Sequence, residues 1–557
     1  MPWSSRAASL IASAMLASAA IAAPTPLSPT PVAPKLIVAI SVDQYSSELF
    51  QRYRPTYSAG LKTLADGVAF PIGYQSHAAT ETCPGHSTIL SGRHPAATGI
   101  VANAWFDVKT GSTIYCVAAP GSSDPNARGP QNMHVTTLGD WVKAAEPGAR
   151  SFAVSGKDRA AITMAGKHAD GVWWWFDGVG FTTSAFAGHA GRAITGPADA
   201  FNVALAARWK ASPPALWAQP SAACAALEQP HRFGQIDLSG HVPPDIAAHV
   251  EDNPAFLQTT DFQDNLRASP LFDATVLAFA EQVIAQQKLG HGPATDVLAV
   301  SLSANDYIGH RYGNGGAEMC VQQASLDASL GRFVDDLKAL GVPVMVVLTA
   351  DHGATDAAER EQEHDADASR LDSGGFVGRL NKKLEAQLAL AYEPIVGDDP
   401  QQLYINVGPD EALRAKVRDA TVAWLKQQPE VRNVFTRAEI EAATIAPGTT
   451  PDTLSMVQRF HESYDRDRSG DIAVAYRPRT SFGIPRGPGD VVAGHGSPWD
   501  HDRQVPILFW WPGVTPETRA TPIETVDIAP TLAAIAGVRT PEVDGRCIAL
   551  SPGTCGR

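Results

Sequence analysis

Six side chains able to ligate a divalent metal stand at the ends of apolar stretches: Asp43, Asp306, His310, Asp351, His352 and His495. Aspartate and histidine without cysteine suit zinc, whose usual shell takes imidazole and carboxylate donors at about 2.0–2.2 Å. Six donors are too many for one tetrahedral ion. They divide into two sets of three, each leaving a position open to substrate. Asp306 and His310 are four apart, so one helical turn puts both on one face. Asp351 and His352 are adjacent and must diverge at a sharp turn. Taken singly, an aspartate at a strand end is usually a helix N-cap, and a lone histidine is usually an ordinary hydrogen-bonded residue. The joint recurrence carries the binuclear reading.

A second group could supply the reaction itself. TETCPGHSTILSG (80–92) crowds hydroxyls, a thiol and an imidazole into one expected strand-to-helix turn. Pro84 suits a first helical turn, which puts Thr82 or Cys83 at the cap. A helix N-terminus with free N–H groups seats phosphate or sulfate. A hydroxyl beside two Lewis acids can be held as an alkoxide and attack in line. In isolation the same residues read as a plain cap. SGKDRAAI (155–162) adds Lys157 and Arg159, two apart, which project to the same side of an extended segment. Two such cations favour a dianionic phosphate monoester over a singly charged diester. Without other signals the same pair would be a solvated charge cluster.

These residues need elements to hold them. KLIVAISVDQ (35–44), DVLAVSLSANDYIGH (296–310) and VPVMVVLTADHG (342–353) are continuous apolar runs, the pattern of buried parallel strands. His495 precedes another such run in GHGSPWDHDRQVPILFWWPG. Helical patterns at 271–290 and 321–341 separate them. The alternation predicts an α/β fold, a doubly wound, mostly parallel sheet flanked by helices, with ligands beyond the carboxyl ends of its strands. Segments at about 160–290 and 375–485 interrupt the rhythm and read as lid or flank insertions. The first holds Trp173–Trp175, which could stack a nucleotide base or simply pack. The second holds YDRDRSGDI (464–472), whose Asp465, Asp467, Ser469, Gly470 and Asp471 follow the first half of a calcium-loop rhythm. Position twelve is Tyr476 rather than Glu, so the competing reading is a tight turn into a strand. Asp500, His501 and Asp502 read as supports for His495 or as a polar loop.

The 557 residues carry 44% hydrophobic and 18% charged content, enough for two to four domain equivalents or one large core with insertions. A net charge of −14 argues against broad capture of nucleic acid but leaves room for a local cationic pocket. Arg6, the apolar run Leu10–Ile21 and Ala20-Ile21-Ala22 predict a signal peptide over 1–22, followed by a Pro-rich leader over 23–34. No later stretch reaches the roughly 18 apolar residues of a membrane span. Six cysteines fit an oxidising compartment, periplasmic or secreted. Cys547 and Cys555 close a short terminal loop. Cys83 with Cys116 and Cys224 with Cys320 complete one of fifteen pairings, and the connectivity stays open.

Together, SVDQ (41–44), TETCPGHSTILSG, NDYIGH (305–310), TADHG (349–353), GHGS (494–497) and the closing ETVDIAPTLAAIAGV…VDG segment resemble the alkaline phosphatase superfamily. The nearest resemblance is to exported, threonine-nucleophile, two-zinc bacterial alkaline phosphatases. It implies a catalytic domain over 35–557, with one zinc on Asp306, His310 and His495. The other would lie on Asp43, Asp351 and His352, with Thr82 as nucleophile and metal ligand. It also implies Asn103 as a donor to a phosphoryl oxygen and Lys157 and Arg159 as further substrate contacts. Cys83, His86 and Ser87 become bystanders to the chemistry. The implied reaction is hydrolysis of small phosphate monoesters through a phosphothreonine, with no nucleic-acid partner. A sulfatase is disfavoured, because Thr82 fills the Cys/Ser slot and His86 stands where Arg is needed. A nucleotide pyrophosphatase/phosphodiesterase shares the core, Thr82 and Asn103. The Lys157/Arg159 pair favours the monoesterase.

Overall fold

Nine strands of the computed structural model form one sheet. It describes residues 31–122, 124, 126–184, 196–243, 258–397 and 399–556, so the expected signal peptide and most of the leader lie outside the described residues. In chain order the strands are β1 (Leu36–Val42), β2 (Val68–Tyr74), β3 (Ser151–Ser155), β4 (Gly171–Phe176) and β5 (Gly180–Thr182). There follow β6 (Asp296–Leu302), β7 (Val344–Thr349), β8 (Gln504–Trp510) and β9 (Glu517–Thr518). Their spatial order is β9-β2-β8-β7-β1-β6-β3-β4-β5. Parallel pairing runs unbroken from β7 through β1, β6 and β3 to β4. β8 is antiparallel to both its neighbours, and β5 is antiparallel to β4.

The three apolar runs form the centre of this sheet. All seven residues of β1 and of β6 are buried, which is why neither run alternates. Leu36, Val38, Ile40 and Val42 pack into one hydrophobic layer with Phe272, Val276, Leu330 and Phe333. Those partners belong to the helices Pro270–Gln287 and Ala317–Ala339, on the two predicted patterns. Ile37 and Ala39 face the opposite layer, with Leu138, Val142, Ile528 and Leu532. Helices therefore cover both faces, the doubly wound arrangement expected from the alternation.

The tryptophan stretch differs from the expectation of a flanking insertion. It is β4, a strand of the central sheet. Strand alternation sends Trp173 and Trp175 into one layer and Trp174 into the other, and all three are buried. Trp173 packs against Phe152 and Phe279, and Trp175 against Phe181 and Phe272, the packing reading of the stretch.

Residues 371–482 carry a smaller core of their own. Phe376, Leu380, Val417, Ile472 and Val474 pack where two helices, Ser373–Leu388 and Glu411–Leu425, cover a four-stranded antiparallel sheet. In the 464–472 turn, Asp471 accepts from the Ile405 backbone and pairs with Arg414, and Asp465 accepts from the Asp467 backbone. Protein donors thus already occupy carboxylates that calcium would need. The stretch is a tight turn into Ile472–Tyr476, and the calcium expectation is not supported.

All six cysteines are paired, as Cys83–Cys116, Cys224–Cys320 and Cys547–Cys555. No helix among the described residues is long and apolar enough to cross a membrane.

Candidate active site

Register brings the first carboxylates together. Leu36 pairs with Val344 and Ser41 with Thr349, so continuing past the strand ends sets Asp43 level with Asp351. β6 ends beside them and gives way to the helix Ala304–Tyr312, where Asp306 and His310 share a face as predicted, His310 Nε2 lying 3.1 Å from Asp306 Oδ1. His495 precedes its strand instead of following it. Because β8 runs antiparallel, its amino end lies at the carboxyl ends of the parallel strands, and His495 Nε2 comes within 3.4 Å of the same Asp306 oxygen. His352 Nε2 sits 3.5 Å from Asp43 Oδ1 and 3.3 Å from Asp351 Oδ2. Two donor groups close enough to share an ion result: Asp43 with Asp351 and His352, and Asp306 with His352 and His495. His352 belongs to both, its ring stacked on that of His495 at 3.6 Å.

The donor set fits divalent metals on several grounds. Asp43 Oδ1 and His352 Nε2 are buried and make no hydrogen bond with any described residue, a costly state unless a cation is their partner. His310, His352 and His495 each place Nδ1 within 2.9 Å of a backbone carbonyl, of Ala493, Gly353 and Thr80 respectively. A carbonyl only accepts, so each Nδ1 carries a proton, which leaves Nε2 as the atom that would offer a lone pair to an ion in the cluster. Burial and the neighbouring His495 hold the His352 imidazole down to about 3, so it is neutral at working pH. Burial and the nearby Asp351 push the Asp43 carboxyl well above its usual range.

Thr82, Lys157, Arg159 and Asn103 arrive at the same place, by routes that differ from the expectations in three respects. First, Glu81, not Thr82 or Cys83, is the N-cap of the helix Thr82–Ile89, and Thr82 is its first residue. Second, the helix N-terminus is not bare: Asn103 Oδ1 accepts the Cys83 N–H at 2.8 Å. That bond fixes the amide so that its Nδ2 hydrogens remain for another acceptor. Third, Lys157 and Arg159 do not share an extended segment. Lys157 caps the helix Asp158–Ala165 and Arg159 lies in its first turn. They converge nonetheless: Lys157 Nζ bonds Asp43 Oδ2 and Asp306 Oδ2, both at 2.6 Å, and Arg159 Nη2 reaches Thr82 Oγ1 at 3.4 Å. The intervening Asp158 accepts from Tyr115 Oη and Arg128 Nε and from the Arg159 backbone N–H.

Some contributors were not foreseen. Gln44 adopts a left-handed backbone at φ 64°, which lets its N–H bond Asp351 Oδ1 while its Nε2 bonds Asp306 Oδ1. Glu81 accepts from the Asn103 backbone at 2.9 Å and anchors that loop to the helix start. His86 is more than first-turn structure, since its Nδ1 lies 3.0 Å from Asp351 Oδ2 and its Nε2 2.9 Å from Ser301 Oγ. Ser87, by contrast, is tied to the Pro84 carbonyl, and Cys83 to Cys116. Asp502, unlike Gln44 and Glu81, reads from the sequence as a support for His495, and it accepts from both the backbone and the hydroxyl of Ser497 in the loop that carries that histidine. For Gln44 the only signal in the sequence was its place directly after Asp43 in SVDQ.

Residues 37–498 match the family model of type I phosphodiesterase / nucleotide pyrophosphatase. The chain belongs to that family. It is 40% identical to alkaline phosphatase PhoK of Sphingomonas over 93% of this chain and 91% of that one. To alkaline phosphatase PhoD of Zymomonas mobilis it is 39% identical, over 93% and 88%. The crystal structure of alkaline phosphatase PafA superposes with a TM-score of 0.79 at 24% identity, over 93% of this chain and 99% of that one. The fold is therefore that of the alkaline phosphatase superfamily, as the motifs implied.

Proposed function

We propose that the protein is an exported, zinc-dependent alkaline phosphatase that hydrolyses small phosphate monoesters through a phosphothreonine on Thr82. The observation that carries the proposal is that Arg159 reaches Thr82 while Lys157 reaches the metal-capable cluster, two cations that together with bound divalent ions would suit a dianionic phosphoryl group. The high identity to alkaline phosphatases over most of the chain supports it.

Asp43, Asp351 and His352 would hold one divalent ion, and Asp306, His310 and His495 the other. When bound, the two ions would lend Lewis acidity to the Thr82 hydroxyl, the leaving oxygen and the attacking water. The remaining work belongs to the chain. The Thr82 hydroxyl gives up its proton and its oxygen attacks phosphorus, forming Oγ–P as the ester P–O bond breaks, and the leaving alkoxide takes up a proton, so none is gained or lost. Water then attacks the same phosphorus from the vacated side, the Oγ–P bond breaks, and phosphate leaves with Thr82 restored. Asn103, oriented by the Cys83 N–H, would donate to one phosphoryl oxygen, and Arg159 and Lys157 would offset charge on the others. The disulfides fit an oxidising compartment, consistent with export.

The family's description favours one alternative, a phosphodiesterase on the same core. The ratio of kcat/KM for p-nitrophenyl phosphate to that for its bis-ester, in wild type and in Lys157→Ala/Arg159→Ala, separates the two. A large monoester preference that collapses in the double variant is expected. A preference for the diester, or a ratio indifferent to both substitutions, would sink the monoesterase reading.

A further inference from the structure

A second junction of acidic and imidazole groups involves none of the residues assigned above. His94 Nε2 lies 2.9 Å from Glu524 Oε2 and 3.1 Å from Ser76 Oγ. Its Nδ1 lies 3.8 Å from both Glu462 Oε1 and Asp544 Oδ2. One donor atom each from His94, Glu462 and Glu524 all fall within 4.8 Å of one another. The three come from separate parts of the chain. His94 follows the Thr82–Ile89 helix, Glu462 ends the helix Met456–Glu462, and Glu524 precedes the short turn Thr525–Asp527.

A proton on His94 does not satisfy this cluster. It serves Glu524, but 3.8 Å is beyond hydrogen-bond length for Glu462. The Glu462 side chain is only 7% exposed. Its Oε2 is buried without a hydrogen bond to any described residue. Arg93 stands 3.2 Å from Asp544, and Arg503 donates to the Ser76 carbonyl rather than to the glutamates. An imidazole nitrogen with carboxylate oxygens is a zinc-like donor set, whereas calcium takes oxygen throughout.

We propose that His94, Glu462 and Glu524 form a divalent-cation site of zinc-like chemistry, separate from the catalytic cluster, which fastens the Met456–Glu462 helix to the core. The consequence would reach the reaction through the backbone. Ser463, next to Glu462, accepts the N–H groups of Ala78 and Ala79, and the Arg459 carbonyl also accepts that of Ala78. This segment leads directly into Thr80 and Thr82, and the Thr80 carbonyl orients His495.

The test counts metal. The full-length protein is stripped with chelator, reloaded with zinc, gel-filtered and analysed by elemental mass spectrometry. Wild type is expected to hold one equivalent more than the near-isosteric Glu462→Gln and more than His94→Ala. An Asp43→Asn/His352→Ala variant, impaired in the catalytic cluster, should keep that equivalent and still gain thermal stability on adding zinc. Adding Glu462→Gln to this variant should abolish the gain. Equal metal content in wild type and Glu462→Gln, or a zinc-induced gain that survives Glu462→Gln, would overturn the site.

Discussion

Gly85 faces the main chain of Asp351 so closely that a Cβ on it would lie 1.9 Å from the Asp351 carbonyl oxygen. The helix that begins with Thr82 therefore rests on the strand end that supplies Asp351 and His352. Nothing larger than glycine fits between them, and the obstacle is backbone, which cannot swing aside. Gly85→Ala must push the helix away by something near an ångström. A displacement of that size can cost about a hundredfold in rate. The variant is expected to fold and to lose about that factor in kcat/KM for p-nitrophenyl phosphate. Wild-type turnover in Gly85→Ala would show that the spacing of Thr82 and Asp351 is not critical.

Lys157 predicts a stability effect that depends on metal. Its ammonium is buried between Asp43 and Asp306 and pairs with both. Removing one partner of a buried ion pair costs about 3–5 kcal/mol. Lys157→Met should therefore destabilise the chelator-treated protein strongly. Divalent ions supply the missing positive charge, so the loss should shrink in the metal-loaded protein. Denaturant unfolding with and without chelator measures both. An equal loss in the two states would mean that Lys157 and the metals neutralise different groups.

The parts of the site that were legible in the sequence are those fixed by local geometry. Asp306 and His310 could be paired because a helix brings fourth neighbours together, and Asp43 and Asp351 because both end fully apolar runs. The residues misread depend on contacts between distant segments. Lys157 and Arg159 have a spacing that fits a strand, yet Lys157 caps a helix, and only the packing of that helix aims both cations at Thr82. Glu81 carries no signal of its own in the sequence, and it is the helix cap that anchors Asn103. Gln44 depends on a left-handed backbone that no spacing announces. In the fold, β4 was misplaced because three consecutive tryptophans mask the alternation of a strand buried on both faces.

The Cys83–Cys116 disulfide ties the residue after Thr82 to the end of the short strand Ser112–Tyr115, and the Asn103 carbonyl accepts the Cys116 N–H. It thus braces both the nucleophile and its expected phosphoryl donor. The bridge spans 33 residues, for which the chain-entropy model gives about 3–4 kcal/mol. Cys83→Ser/Cys116→Ser is expected to unfold at lower denaturant and to lose kcat more than it raises KM. If stability falls while kcat is untouched, the bridge serves the fold and not the site.

Asp273 predicts a pH dependence of stability. It accepts from the Ala304 N–H at the start of the Asp306 helix and from Gln322 Nε2. Burial pushes its carboxyl up to about 6, the hydrogen bonds opposing the rise. The ordinary value in the unfolded chain is near 3.8. The folded state therefore holds this proton more tightly, and the stability it confers is present below the unfolded value. That stability is lost as pH rises to about 6, after which the buried charge costs roughly 3 kcal/mol. Gln322 Oε1 is buried without a hydrogen bond to any described residue, so a rotated Gln322 amide could receive the new donor of Asp273→Asn. The variant should be more stable than wild type above about pH 6, with the advantage fading by about pH 4. Thermal midpoints of both proteins across that range decide the matter. A variant less stable at pH 8 would show that the carboxylate's bond to the helix start outweighs its desolvation.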